Sequence, residues 1–565
     1  MAAEHDHGTD AGANPAGRGG ILAARLLLAA ALAVAVFIRI RLAAMPLERD
    51  EGEYAYLGQL MLGGVPPYQE AANMKWPGTP AAYAAIMAVF GQSTAAIRVG
   101  LILVNLATAG FLYSIARRCA GIPAACFATA AYLVLAIVPT VLGLAAHAAH
   151  FVLLPAMAAV WLVQVPATHR SLGRLLLAGA FAGIAAIMKQ SGAAFFGLVA
   201  AWVALCTVRD RPGLRPAAAR LGSVAAGFAL PIALLFAGIA ATGSFGRFWF
   251  WTWDYARAYA ANTPLRMGVH NFVENVGGVV GSTPVLSFLA LLGAAALLGR
   301  RRLAASRVFV AGFLACSILA ICPGLYFSRN YLIQLGPAIA LLAALGADAV
   351  RGLALTSPRL ARLSWVSGLA VAIGLLQPLV RWGDMYFRQT PAVALRTVYG
   401  FNPFPEAEVI GRYLNAHCPE NARIAIVGSE PEIYFYARRR GVTDYLYVYP
   451  MTESQPYAGR MRREFIAQIE QGHPEFVIFV NAVNSWYSYS LLGGEAPLVA
   501  WFQRYERENL TLVGLVEVRD DGSAVYRWSF DRSTVGWPGK VAMAVYRRVP
   551  ASGTAGQPAR TTITW

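Results

Sequence analysis

The stretch LERDEGEYAYLGQLMLGGVPPYQEAANMKWPGTP, residues 47–80, is a long polar interruption early in an otherwise apolar chain. Three acids fall within four positions, Asp50, Glu51 and Glu53, and Lys75 follows in Asn-Met-Lys-Trp-Pro-Gly. Between them, residues 53–62 predict a short amphipathic helix that stops at Gly63-Gly64, glycine being the usual residue just past a helix end. Tyr54, Leu57, Leu60 and Met61 share one face, the pattern of a helix lying in a membrane interface. Pro77 is placed for the first turn of a second short apolar helix. Asp50-x-x-Glu53 has the form of a capping box, with Asp50 accepting from the backbone N–H groups of the first turn. Glu51 is not needed for that cap. The acids also stand where a membrane helix ends and water begins, a setting in which ionisable groups are candidates for function.

The composition sets this stretch in a membrane protein. The chain is 57% hydrophobic, only 14% charged, and has a mean hydropathy of +0.50, whereas soluble domains carry about 25% charged residues. Its 565 residues allow a large membrane domain and one modest soluble domain. A net charge of +17 would suggest nucleic acid as partner in a soluble protein. Here the excess is arginine between apolar spans, with Lys75, Lys189 and Lys540 the only lysines, so topology accounts for it and no nucleic acid is expected. The six cysteines show neither CxxC nor Cys/His metal spacing, and no structural disulfide is expected.

About eleven stretches have the length a bilayer requires, near 21–44, 96–116, 122–140, 145–165, 171–188, 191–208, 219–241, 283–299, 308–323, 331–349 and 363–381. Residues 78–90 are too short and are expected along the surface. Residues 1–20, polar and rich in Gly and Ala, predict a disordered cytoplasmic tail. Arginines cluster after every second span, at 117–118, 170–174, 209–220, 300–307 and 351–362. By the positive-inside rule these are cytoplasmic, which puts the N-terminus inside and, after an odd number of spans, the C-terminus outside. The division expected is a membrane domain at 21–382, with its first outer loop at 45–95, and an exoplasmic α/β domain at 383–565. In the latter, a β-α-β-α-β rhythm places strands at 423–428, 445–448 and 475–480 and helices at 405–416, 430–439 and 460–471. Later antiparallel strands are expected at 512–518 and 541–547. Residues 244–260, SFGRFWFWTWDYARAYA, form an aromatic amphipathic helix, read as an interfacial anchor or the wall of a substrate groove.

Asp-Glu-Gly-Glu-Tyr-Ala-Tyr at 50–56, followed some twenty residues later by Lys-x-Pro-Gly-Thr at 75–79, resembles the first outer loop of glycosyltransferase family 39. That family includes the protein mannosyltransferases and, more distantly, the lipid A aminoarabinose transferases, all of the membrane-embedded GT-C fold. The resemblance is specific over 47–90 and extends by layout over the rest. It implies a polytopic α-helical membrane protein of GT-C fold that transfers a sugar from a polyprenyl phosphate to a glycan, lipid or protein acceptor, in a bacterial inner membrane. Asp50 then matches the catalytic acid, Glu51 the residue beside it, and Lys75 a lysine near the lipid phosphate.

The outer compartment fits that donor, since it lacks nucleotide sugars and an activated sugar must arrive in the membrane. Transfer needs a base for the acceptor hydroxyl, which a carboxylate supplies at a typical gain of about 10²–10⁴-fold. It also needs cations for the departing phosphate. Arg329, in Tyr-Phe-Ser-Arg-Asn-Tyr at 326–331, and Lys189, at an outer turn, are further candidates, with Tyr54 beside the acids. Two positions depart from the family. Met74 stands where relatives often have an acid, and His147-Ala148-Ala149-His150 stands for Asn-x-Glu-His. No cofactor is certain; a divalent cation is left open, with His147 and His150 as candidate ligands. The competing readings are a lipid-sugar flippase or transporter, which should show broken helices in matched halves, and a ligase or polymerase of lipid-linked glycans.

Overall fold

A computed structural model describes residues 15–299, 304–354, 365–486, 496–528 and 540–549. Helix α1 (Pro15–Arg41) leads to α2 (Arg49–Leu62) and α3 (Gly78–Phe90), then to α4 (Thr94–Leu135), α5 (Ala148–Val163), α6 (Leu172–Met188), α7 (Ala194–Asp210) and α8 (Leu214–Ala241). Residues 15–20, expected in a disordered tail, already belong to α1; residues 1–14 lie outside the described residues. Helix α4 covers two expected spans. It breaks at Gly121, whose φ of 83° suits glycine, and Pro123 follows, lacking the N–H that would continue the ladder. Later helices run over Leu265–Ser282, Pro284–Gly299, Ala304–Ile321, Gly336–Ala354 and Trp365–Arg381.

Among the described residues, five helical stretches are long and apolar enough to cross a bilayer: Gly19–Arg41, Thr94–Leu135, Gln190–Asp210, Leu214–Ala241 and Arg329–Leu353. A sixth is counted if Leu265–Ser282 and Pro284–Gly299, bent by 107°, form one span. Small residues let the helices approach closely, as is common in membrane bundles. A Cβ on Gly293 would lie 1.9 Å from Leu342 O, and one on Gly346 would lie 1.9 Å from Leu289 O. A buried arginine in α1 is held by backbone carbonyls: Arg39 Nη2 donates to Ala136 O at 2.7 Å and Gly143 O at 3.0 Å.

The C-terminal part is a six-stranded sheet, β1 (Arg423–Val427), β2 (Arg440–Gly441), β3 (Phe476–Val480), β4 (Leu510–Val518), β5 (Ala524–Trp528) and β6 (Lys540–Arg548), in the order β2-β1-β3-β6-β4-β5. Strand β1 pairs parallel with β2 and β3, and the remaining pairs are antiparallel. Alternating residues face opposite sides, as strand geometry dictates. Ile424, Ile426 and Ile478 meet the helices Phe404–His417 and Glu432–Ala437. Val427, Val477 and Phe479 meet Ala458–Gly472 and Pro497–Asn509. One expected strand is corrected: residues 445–448 are not in the sheet, and Tyr445 makes an isolated parallel bridge to Ala72 in the loop between α2 and α3.

That bridge belongs to a broad contact between the C-terminal part and α2. Tyr56 stacks on Tyr434 with ring centroids 4.9 Å apart, and its hydroxyl accepts from Gly441 N at 2.9 Å. Leu47 N donates to Tyr436 Oη at 2.8 Å. Glu432 packs so closely on Gly52 that a Cβ there would lie 2.5 Å from Glu432 Cβ. Helix α2 is therefore not an interfacial helix with one wet face. Its residues Glu51–Tyr56 are buried, between the membrane helices and the sheet layer.

Candidate active site

The start of α2 differs from the expected cap in a way that decides what Asp50 can do. The cap is Glu48: its Oε1 accepts from Glu51 N at 2.9 Å, and Glu51 Oε2 accepts from Glu48 N at 3.3 Å. The capping box is thus Glu48-x-x-Glu51, two residues earlier than expected, and Asp50 is released from the helix end. Asp50 instead turns to the wall of a cavity of about 930 Å³, with 30% of its side chain exposed.

The loop after α2 folds back to meet it. Tyr68 takes a positive φ of 66°, and its hydroxyl donates to Lys75 O at 2.7 Å. Asn73 Oδ1 accepts from Lys75 N at 3.2 Å. Lys75 Nζ then lies 2.8 Å from Asp50 Oδ1, 3.0 Å from Glu53 Oε2 and 4.7 Å from the centre of the Tyr54 ring. The lysine that the resemblance matches to one near the lipid phosphate is here paired with both acids. Glu53 is also held by Asn73 and by the Tyr447 hydroxyl, each of which donates to it.

These contacts separate the acids electrostatically. Burial works to raise the Asp50 carboxyl, but Lys75 and then His147 outweigh it and hold the group below the usual carboxylate range. Glu53 goes the other way, because burial exceeds the pull of Lys75. Burial also lifts Glu48 to about 7; His147 opposes that rise, while Asp50 and Glu51 add to it. The Lys75 ammonium, although buried, is kept well above its ordinary value by Asp50 and Glu53.

His147, the N-cap of α5, brings a third group to Asp50. Its Nδ1 is 3.6 Å from both Asp50 Oδ2 and Glu48 Oε1, and Asn330 Nδ2 lies 3.2 Å from the same nitrogen. Asn330 also donates to Asp50 Oδ2 at 3.4 Å. Ligand atoms of Glu48, Asp50 and His147 all fall within 4.8 Å of one another. Two carboxylates and an imidazole at that spacing suit a divalent cation. His150 does not join them; it is buried, and among the described residues neither ring nitrogen finds a hydrogen-bond partner.

Lys189 reaches the same cavity from the turn between α6 and α7. Its Nζ stands 3.3 Å from the centre of the Tyr331 ring, a cation–π arrangement. Burial lowers it to about 7, Lys75 adds to the fall, and Asp50 opposes it. Tyr54 lines the cavity too.

Two candidates lie elsewhere. Arg329 donates to the backbone oxygens of Pro139 (2.6 Å), Val398 (3.3 Å) and Thr140 (3.5 Å), while its neighbours Ser328, Asn330 and Tyr331 line the cavity. Glu51 is completely buried; Arg98 Nη1 is 2.6 Å from its Oε1, which also accepts from Ala146 N at 2.5 Å. Residues that the sequence reading passed over include Asn330, Tyr447 and Arg49. Arg49 pairs with Glu430 at 2.9 Å and so links the start of α2 to the turn after β1.

Fold and site together describe a multi-pass helical membrane protein with an acid–lysine pair formed by the start of α2 and the loop that follows it. Residues 75–236 match the dolichyl-phosphate-mannose-protein mannosyltransferase family, in agreement with the resemblance carried by the first outer loop. Two crystal structures of ArnT from Cupriavidus metallidurans share the fold. The one bound to undecaprenyl phosphate has a TM-score of 0.53 at 18% identity, covering 81% of this chain and 92% of that one. The apo structure has a TM-score of 0.53 at 17% identity, covering 81% and 94%. No curated protein matches the chain.

Proposed function

We propose that the chain is a membrane glycosyltransferase that moves a sugar from a polyprenyl-phosphate donor to an acceptor on the outer face of the membrane. The observation that carries this reading is the placing of Asp50 and Lys75, 2.8 Å apart, on the wall of one large cavity. The family match, and the fold shared with a protein crystallised with undecaprenyl phosphate, support the donor class.

In the proposed step the acceptor hydroxyl oxygen forms a bond to the anomeric carbon and inverts it. The carbon–oxygen bond to phosphate breaks, its electron pair leaving on the lipid phosphate, and the hydroxyl proton passes to Asp50. Paired with Lys75, Asp50 is ionised but a poor base. A donor phosphate that draws Lys75 to itself removes that counter-ion and makes Asp50 more basic once the donor is bound. Lys189, rather than Arg329, is the second cation for the phosphate, since Arg329 is engaged by backbone carbonyls. Glu51 is a positioning residue: through Arg98 and Ala146 it fixes the loop that presents His147. Glu48, Asp50 and His147 would hold a divalent cation, which when bound supplies positive charge beside the phosphate.

In this reading the eleven apolar stretches are all membrane-crossing. The membrane domain covers 21–382, and 383–565 form a domain outside. The experiment is genetic and chemical. Deleting the gene should remove a sugar from an envelope glycan, and Asp50→Asn protein present at normal level should fail to restore it. Full restoration by Asp50→Asn would reject Asp50 as the base, and unchanged envelope glycans on deletion would count against the transferase itself.

A further inference from the structure

The cavity has a second end, built in part by the aromatic segment read from the sequence as an interfacial anchor or the wall of a substrate groove. The segment 245–261 is helical throughout but widens over Phe250–Tyr255 into a π-helix, in which each hydrogen bond spans one residue more than in an α-helix. Such widened turns are rare and occur often at functional sites. It presents Trp253, 54% exposed, and Trp249, 43% exposed, to the cavity. Tyr259 stacks on Tyr326 at 4.6 Å and 13°, giving the same wall a flat double ring.

Facing these rings is the segment 445–453 of the C-terminal part, the stretch that the sheet does not use. It places Tyr447 against Glu53 at the acid–lysine end and Glu453 against the π-helix. Glu453 is half-buried and pairs with no cation among the described residues; the Tyr255 hydroxyl donates to it at 3.2 Å. Burial lifts this carboxyl to about 7, against the effect of Tyr255, so that it can donate as well as accept.

A pyranose ring needs this combination. Its C–H faces are apolar and weakly positive, and lie well on electron-rich aromatic faces. Its hydroxyls call for a few placed polar groups in a mostly apolar pocket. An isoprenoid chain would use the rings but offer this half-buried carboxyl no partner beyond Tyr255.

We propose that Trp253, the Tyr259–Tyr326 pair and Glu453 form a carbohydrate-binding subsite, so that the C-terminal part supplies a sugar-contacting wall of the cavity. This rests on the transferase reading above. The sugar belongs either to the donor or to the acceptor, and the chemistry of recognition is the same for both.

The test uses the full chain in lipid nanodiscs, with Glu453→Gln and Trp253→Ala beside the wild type; Trp253 is exposed enough for its removal to spare the fold. Binding is measured for bare undecaprenyl phosphate and for undecaprenyl-phosphate mannose, glucose and galactose, and each variant is scored for restoring the envelope glycan. Both variants should bind bare undecaprenyl phosphate as the wild type does. If the ligand is the donor sugar, at least one sugar-bearing lipid binds the wild type more tightly than the bare lipid, and the variants lose at least five-fold of that advantage. If it is the acceptor sugar, donor binding is unchanged and glycan restoration falls at least five-fold. Variants equal to wild type in both readouts would overturn the subsite, as would a parallel loss of bare undecaprenyl phosphate, which would assign the wall to the lipid. Failure of the wild type to bind any of these lipids would instead refute the transferase reading, and the subsite with it.

Discussion

At the residue scale the site depends on which carboxylate caps α2. Glu48 and Glu51 close the box, so Asp50 owes nothing to the helix end. Asp50→Asn should therefore leave the protein inserted and as stable as wild type while transfer falls by about 10²–10⁴-fold, the usual contribution of a general base. Near-normal turnover, measured on protein with an unchanged melting temperature, would remove Asp50 from the chemistry. Lys189 gives a pH signature. Its protonated form is the one that binds phosphate, and burial lowers the amine to about 7. Affinity for a lipid phosphate should fall as pH rises through that value, and Lys189→Arg, which stays charged, should flatten the profile. A wild-type profile flat from pH 6 to 8.5 would contradict this.

Residue types were readable where side-chain direction was not. The acids and Lys75 stood out by their place between apolar stretches, and the structure brings Asp50, Lys75, Lys189 and Tyr54 to one cavity. The cap was misplaced because Asp is a better N-cap than Glu by propensity, and two boxes, 48–51 and 50–53, overlap in the sequence. Arg329 was chosen for its charge, yet the residues on either side of it point into the cavity and it does not.

At the scale of elements, apolar runs marked where helices form but not how many cross a bilayer: about eleven were expected, and among the described residues five stretches are long and apolar enough, six if the bent pair is one span. Two elements were misread for one reason. Helix α2 looks amphipathic, and 445–448, Tyr-Leu-Tyr-Val, looks like a strand, because each packs on a partner remote in sequence. Tyr56 meets Tyr434, and Tyr445 bridges to Ala72. Pairings across nearly 400 residues leave no periodic trace. The contact at Gly52 makes this docking testable. A methyl there would meet Glu432 backbone and side-chain atoms at 2.5–2.7 Å, so that α2 or the helix Glu432–Ala437 must move. Gly52→Ala should cost about 1–3 kcal/mol of stability, seen as a lower melting temperature, and should reduce transfer because Asp50 lies two residues away. An unchanged melting temperature and activity would show the interface to be loose.

At the scale of the whole molecule, the account needs the cavity and the C-terminal part on the side of the membrane where lipid-linked sugars are used. The proposed topology, read from the alternating arginine clusters, puts both outside. A reporter fused after Trp565 should be active only if it functions outside the cytoplasm, and activity of a reporter that works only in the cytoplasm would reverse the topology. The central claim is that the Asp50–Lys75 cavity receives a polyprenyl phosphate, and its most direct test is equilibrium binding of undecaprenyl phosphate to purified protein. A charge-assisted lysine–phosphate contact in a partly buried site is about twice as strong as a neutral hydrogen bond. The account predicts saturable binding by the wild type, partial retention by Lys75→Arg, and a loss of at least ten-fold for Lys75→Met. Equal affinity of wild type and Lys75→Met, or no binding by either, would contradict it.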